Sequence, residues 1–348
     1  MNPRVLLPLL AIGLLLAAWL WASPSSEAPW RAELQKRLER LDAESPGELG
    51  VYVEHLSEGH LDYQAEGPWY LASTVKLPVA IAVLQGVDEG RLSLDQAVEL
   101  TAEDKVDGSG GTVWSEAGTT FSIRTLLEEM LRESDNTAAD MLIRLVGVDT
   151  LNASLERYGF GQLTSLLQVR QDLYAELHPD ARNLSNQQIV EVAAAPIGPE
   201  RVQALANALD LTAGELEQDD LDEAYRRYYA QGRNSSSLTG YGALLRDLVD
   251  GELLSDASQQ LLYQLTGLNQ YEAYRLEAGL AEDLPFIQKT GTQQGRACHV
   301  GVARPETPEQ ALIIIACAAN LDENREAGAL FERIGEAIQQ TVLQPRAG

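Results

Sequence analysis

Ala311-Leu312-Ile313-Ile314-Ile315-Ala316-Cys317 is an unbroken apolar run rich in β-branched residues, and it reads as a buried strand. Just upstream, Cys298-His299-Val300-Gly301-Val302-Ala303 reads as a second strand, joined to the first through Arg304 to Gln310. Pairing Ala303 with about Ala311 brings Cys298 to within one position of Cys317. A cross-strand disulfide and two buried thiols both fit that register. A helix from Glu326 to about Val342 closes the chain. At the other end, Trp30 to Leu41 has the pattern of an amphipathic helix. Leu49 to His55 and His60 to Ala65 read as strands around the turn Leu56-Ser57-Glu58-Gly59. Strands therefore lie at both ends and helices in the middle. The expected fold is α/β (α+β): an antiparallel sheet built from residues 31–66 and 234–345, flanked by helices, with an all-helical domain inserted over 67–233.

Composition narrows the function classes. The chain has 348 residues, of which 45% are hydrophobic, enough for substantial cores. Its net charge of −26 argues against nucleic-acid binding, because phosphates would be repelled. The four histidines (His55, His60, His178 and His299) are scattered and the two cysteines have no metal-ligand spacing, so neither a metal nor another cofactor is expected. Residues 5–22 are apolar and follow Met1-Asn2-Pro3-Arg4. They read as an export signal or a single membrane anchor within residues 1–23, followed by a linker over 24–30. Leu20 and Trp21 make a poor small-x-small processing site, which favours retention. The folded part is then expected in the periplasm or elsewhere outside the cytoplasm.

Three short motifs carry the chemistry. Ser73-Thr74-Val75-Lys76 precedes Leu77-Pro78-Val79-Ala80-Ile81-Ala82-Val83-Leu84, which is apolar nearly all round, as in a buried helix. Ser73 would open that helix, with Lys76 one turn on and on the same face. A serine hydroxyl needs a base to take its proton, and a desolvated lysine can serve. Ser134-Asp135-Asn136 lies between two amphipathic helices, Ser122 to Leu131 and Thr137 to Leu145. Lys289-Thr290-Gly291-Thr292 lies where one strand leads to the next, and Gly291 suits a strand that another backbone approaches closely. Taken singly, each motif has a bland alternative: a helix cap, a helix–helix turn, a blunted edge strand.

In this order the motifs resemble those of the penicillin-recognising serine hydrolases, class A β-lactamases above all. The likeness runs from about Leu71 to Val146 and again from about Asn234 to Leu343. It implies a helical domain inserted beside the sheet and a cleft between them. It implies Ser73 as the acylated nucleophile, Lys76 as its base and Ser134 as the proton shuttle to the leaving nitrogen. Asn136 would hold the substrate's acyl-amide, and Asp135 would be structural. Lys289, Thr290 and Thr292 would receive a substrate carboxylate. By strict register the family's strand arginine falls on Cys298; Arg296, two residues earlier on the same strand face, is the expected substitute.

Between Thr164 and Arg233 the likeness breaks down. The family carries a deacylating glutamate there, within an Arg-x-Glu-Pro-x-Leu-Asn pattern. Aligning Arg170 of Val169-Arg170-Gln171-Asp172-Leu173-Tyr174-Ala175-Glu176 with that arginine puts Asp172 at the glutamate and Glu176 at the asparagine. An atypical insert follows at about 178–233. The expected function is a β-lactamase, hydrolysing β-lactam-type amides through an acyl-enzyme. A D-alanyl-D-alanine peptidase acting on peptidoglycan peptides and a non-catalytic binding module are the alternatives. The deacylating carboxylate, Asp172 in this reading, decides between the first two.

Overall fold

The computed structural model describes residues 28–267 and 274–344; the apolar segment 5–22 lies outside them. Five antiparallel strands form the main sheet in the order β2-β1-β9-β8-β7: β1 Glu48–His55, β2 Gly59–Tyr63, β7 Phe286–Gln293, β8 Arg296–Ala303 and β9 Leu312–Ala319. The central position of β9 explains its apolar run. Leu312, Ile314, Ala316 and Ala318 face one core, while Ile313, Ile315 and Cys317 face another, so a strand buried on both faces has no polar alternation. Each fully buried Ile or Leu contributes about 1.5–3 kcal/mol of transfer free energy.

Helices from the two chain ends cover one face. These are α1 (Pro29–Glu44) and α12 (Arg325–Ile338), which bring Trp30, Leu34, Leu38, Phe331 and Ile334 against Val51, Val53 and Ile314. Against the other face lies α10 (Leu238–Val249), and the buried helix α2 (Lys76–Asp88) belongs to the same core. Tyr52, the core-facing residue of β1 on this side, meets α10 at Gly242, where a Cβ would come within 2.3 Å of the ring.

Between β2 and α10 the chain is largely helical. Short pairs interrupt it: β3 (Trp69–Tyr70) with β6 (Ser235–Ser236), and β4 (Ala97–Glu99) with β5 (Thr120–Ser122). The helices are α2, α3 (Ile123–Arg132), α4 (Asn136–Val146), α5 (Val148–Leu155), α6 (Leu166–Ala175), α7 (Asn186–Ala193), α8 (Pro199–Ala208) and α9 (Leu221–Ala230). The segment α7 to α9, where the motif likeness of the sequence breaks down, has its own core. There Leu173, Tyr174, Ile189, Leu205, Tyr225 and Tyr228 pack with Tyr70 and Ala72, which immediately precede Ser73. The insert is therefore seated on the approach to the first motif. α11 (Asp256–Thr266) packs back on α2 and α3.

The sheet register pairs Cys298 directly with Cys317, and the two form a disulfide. Of the two cysteine states left open by the sequence, the oxidised one is present. β2 stops short of the expected Ala65 because Gln64 adopts φ 51° and turns the chain out of the sheet. Closing a loop of this length stabilises a protein by about 3 kcal/mol. We expect Cys298→Ala/Cys317→Ala to lower the urea-unfolding free energy by about 2–4 kcal/mol. The wild type should approach the variant under reductant; equal midpoints would contradict this.

Candidate active site

Ser73 stands on a 3-10 turn, Ala72–Val75, that runs into α2, rather than on the first turn of the α-helix itself. The turn begins at Ala72 with φ 47°, a conformation that costs an alanine about 1–3 kcal/mol. It is held from several sides. Leu71 N–H donates to Asn234 O (2.9 Å), Thr74 Oγ1 donates to Leu71 O (2.7 Å), and the buried Tyr241 hydroxyl donates to Thr74 O (2.9 Å). β7 lies directly against the turn. A Cβ on Gly291 would meet Leu71 O at 2.4 Å and the Ser73 and Thr74 nitrogens at 3.0 Å, so only glycine lets the third motif approach the first.

Lys76 is the hub. It is fully buried, and its Nζ lies 3.1 Å from Ser73 Oγ, 3.2 Å from Ser134 Oγ and 2.7 Å from Asn136 Oδ1, with Ser134 O also in contact. A neutral amine has two N–H bonds and one lone pair: the carbonyl oxygens of Ser134 and Asn136 take the two donors, which leaves the lone pair for a serine hydroxyl. Burial, reinforced by the nearby Lys289 cation, holds the Lys76 ammonium well below its usual pKa. A neutral amine 3.1 Å from a serine hydroxyl has the reach and the lone pair to take its proton.

Ser134 occupies the junction between α3 and α4 with φ 57°. Asp135 fixes this junction: its carboxylate accepts from Ala138 N–H (2.8 Å) as the cap of α4 and from Thr112 N–H (2.9 Å). Ser134 Oγ then sits between the two lysines, since Lys289 Nζ donates to it at 3.1 Å. Burial, then the charge of Arg275, pushes Lys289 down to about 7. Asn136 donates through Nδ2 to Asp107 O (2.6 Å) while accepting from Lys76. Ser73, Asn136 and Thr292 line a cavity of about 420 Å³ with Tyr70, Leu166, Val169 and Arg170. The motif residues expected to act together are thus brought together.

Two expected residues lie elsewhere. Arg296 packs over the Tyr229 ring (4.6 Å) and donates to Gly295 O and Asn320 Oδ1, both at 2.9 Å; it lines other cavities. The guanidinium at the third motif belongs instead to Arg275, which is 1% exposed. Arg275 donates to Gly291 O (2.9 Å), Cys298 O (3.0 Å), Glu323 O (2.9 Å) and Thr292 Oγ1 (2.9 Å). It opens a short 3-10 helix, Arg275–Gly279, before β7; that stretch carries no motif, so nothing in the sequence pointed to it.

Asp172 also faces away. It is buried among Arg233, Arg182 (3.5 Å) and Gln168 (3.1 Å), on a separate cavity of about 400 Å³. Glu176 accepts from Gln231 (2.7 Å). The helical period explains this: Leu166, Val169 and Arg170 share the face of α6 toward Ser73, and Asp172 falls on another. Asp140 sets the position of α6 by accepting from the Leu166 (2.6 Å) and Leu167 (2.9 Å) N–H groups; burial lifts its carboxyl to about 7. Among the described residues, no carboxylate lines the Ser73 cavity.

A family model described as "Beta-lactamase enzyme family" matches residues 33–342. Among curated proteins, the chain is 30% identical over 166 residues to β-lactamase ROB-1 of Haemophilus influenzae, covering 47% of this chain and 53% of that protein. It is 25% identical over 280 residues to a β-lactamase of Mycobacterium tuberculosis, covering 80% of this chain and 75% of that one. The chain thus spans about half the length of ROB-1. Among solved structures it resembles PBP-A with a TM-score of 0.64 at 19% identity, covering 88% of this chain and 94% of that one. A point mutant of PBP-A has been solved as an acyl-enzyme complex with penicillin G.

The two lysines predict a pH profile. Acylation measured as kcat/KM should rise as Lys76 loses its proton, then fall above about 7 as Lys289 loses the charge that attracts a substrate carboxylate. Lys289→Arg keeps a cation at all accessible pH and should move the falling limb upward. An unchanged falling limb in that variant would separate it from Lys289.

Proposed function

Because the chain belongs to the β-lactamase enzyme family, we propose that it is a serine hydrolase of β-lactamase type, opening β-lactam amides by acylation of Ser73. The observation that carries this reading is the contact of the buried, depressed-pKa Lys76 with Ser73 Oγ, Ser134 Oγ and Asn136 at once. Lys76 takes the Ser73 proton as Oγ attacks the carbonyl. Ser134, between Lys76 and Lys289, passes a proton to the departing nitrogen. Lys289 and Thr292, the latter steadied by Arg275, receive the substrate carboxylate, with Thr290 beside them on the strand. The Cys298–Cys317 disulfide supports placement outside the cytoplasm, and the apolar segment 5–22 supports export or anchoring there.

One observation favours a second reading, a penicillin-binding peptidase that releases penicillin slowly. The α6 face toward Ser73 presents Leu166 and Val169, apolar groups where a water-activating carboxylate would be needed, and Asp172 is tied to arginines elsewhere.

Incubation with penicillin should give one covalent adduct by intact mass, absent in Ser73→Ala; an adduct on that variant would overturn the assignment. The lifetime of the adduct separates the two readings. Asp172→Asn should leave it unaltered. Leu166→Glu, which puts a carboxylate in the cavity, should shorten it by about a hundred- to ten-thousand-fold if deacylation lacks a base in the wild type. If the wild type already turns over rapidly and Leu166→Glu adds nothing, the β-lactamase reading holds alone.

A further inference from the structure

Among the described residues, Arg170 is the one cation that both lines the Ser73 cavity and keeps hydrogen-bonding capacity in reserve. Its Nε donates to both oxygens of Asp107, at 2.9 and 3.1 Å. Its two terminal nitrogens donate no hydrogen bond to any described residue. The side chain is only 14% exposed, and its terminal nitrogens, which are not among the fully buried unpartnered atoms, keep their accessible surface where the residue lines the cavity. A mostly buried guanidinium with unfilled donors is costly unless something accepts from it. Asp107 is the group that keeps it charged.

Its neighbour defines what that acceptor is. A Cβ built on Gly108 would lie 2.6 Å from Asn136 Nδ2 and 3.4 Å from Arg170 Nη2, so the two donors flank one point on the cavity wall. Asn136 is the residue read above as holding the acyl-amide of the substrate. Arg170 therefore meets whatever the acyl portion carries next to that amide. The far edge of a guanidinium is a planar two-nitrogen fork, and the group that matches it is a carboxylate. The fork is also remote in the fold from the other anion-binding group: Arg170 comes from α6 in the helical layer, whereas Lys289 and Thr292 come from β7 in the sheet.

We propose that Arg170 forms a subsite for a carboxylate on the acyl portion of the substrate, so that the enzyme favours β-lactams or peptides with two negative charges, one on each side of the scissile amide. This rests on the acyl-enzyme reading of Ser73 and names its substrate class. Asp107 aligns the guanidinium through Nε and offsets part of its charge.

The test compares acylation rate constants of the full-length protein for two penicillins that differ only in a carboxylate on the side-chain carbon next to the acyl carbonyl. The wild type should prefer the carboxylated one. Arg170→Gln should lower the preference ratio by about ten- to a hundredfold, the usual range for a hydrogen bond to a charged group. Arg170→Lys should keep only part of it. Asp107→Asn, which leaves Arg170 less neutralised, should raise the ratio, which a purely structural clasp would not do. Because a ratio is read, loss of folded protein affects both substrates alike. An unchanged ratio in Arg170→Gln overturns the subsite while leaving acylation of Ser73 intact. Absence of an adduct with either penicillin overturns the acyl-enzyme reading itself, and the subsite with it.

Discussion

A lysine buried without a carboxylate in hydrogen-bonding contact is the constraint on which the site depends. Lys76 Nζ touches oxygens of Ser73, Ser134 and Asn136, which come from three different segments. A charged ammonium there is disfavoured by desolvation and by Lys289, while a neutral amine is both tolerated and useful. The surrounding fold serves this arrangement. α2 is buried nearly all round so that Lys76 cannot reach water, Gly291 lets β7 close against the Ser73 turn, and Asp135 fixes the strained Ser134. The positive φ values at Ala72 and Ser134 store backbone strain next to the reacting groups, offset by packing elsewhere.

The sheet was readable because its signals are local. An apolar run with no alternation means a strand buried on both sides, and the Cys298–Cys317 register followed from the length of one turn. The three motifs were readable for the same reason: each packs its chemistry into three or four consecutive residues. Ser73 on a 3-10 turn instead of the helix proper is a shift of one turn, imposed by the left-handed Ala72.

What the sequence hid depends on long-range placement. Arg275 reaches Thr292 from a short 3-10 helix, and only the fold shows that its guanidinium occupies the space expected for Arg296. On α6 the error was one of helical phase. Asp172 was aligned by sequence pattern, yet the helix is anchored by Asp140 at the Leu166 and Leu167 amides, and that anchor turns Leu166, Val169 and Arg170 to the cavity. The α7–α9 segment, unclassifiable from its acidic composition, packs its tyrosines against Tyr70 and Ala72 and so buttresses the nucleophile turn.

Catalysis by this arrangement requires Lys76 to be neutral in the working enzyme. Carbon-13 NMR of lysine Cε, assigned by loss of one signal in Lys76→Ala, measures this directly across a pH titration. The Lys76 midpoint should lie well below the ordinary lysine value of 10.5 and coincide with the rising limb of the acylation profile. A Lys76 signal that titrates near 10.5, with acylation already at full rate below it, would contradict a lysine base.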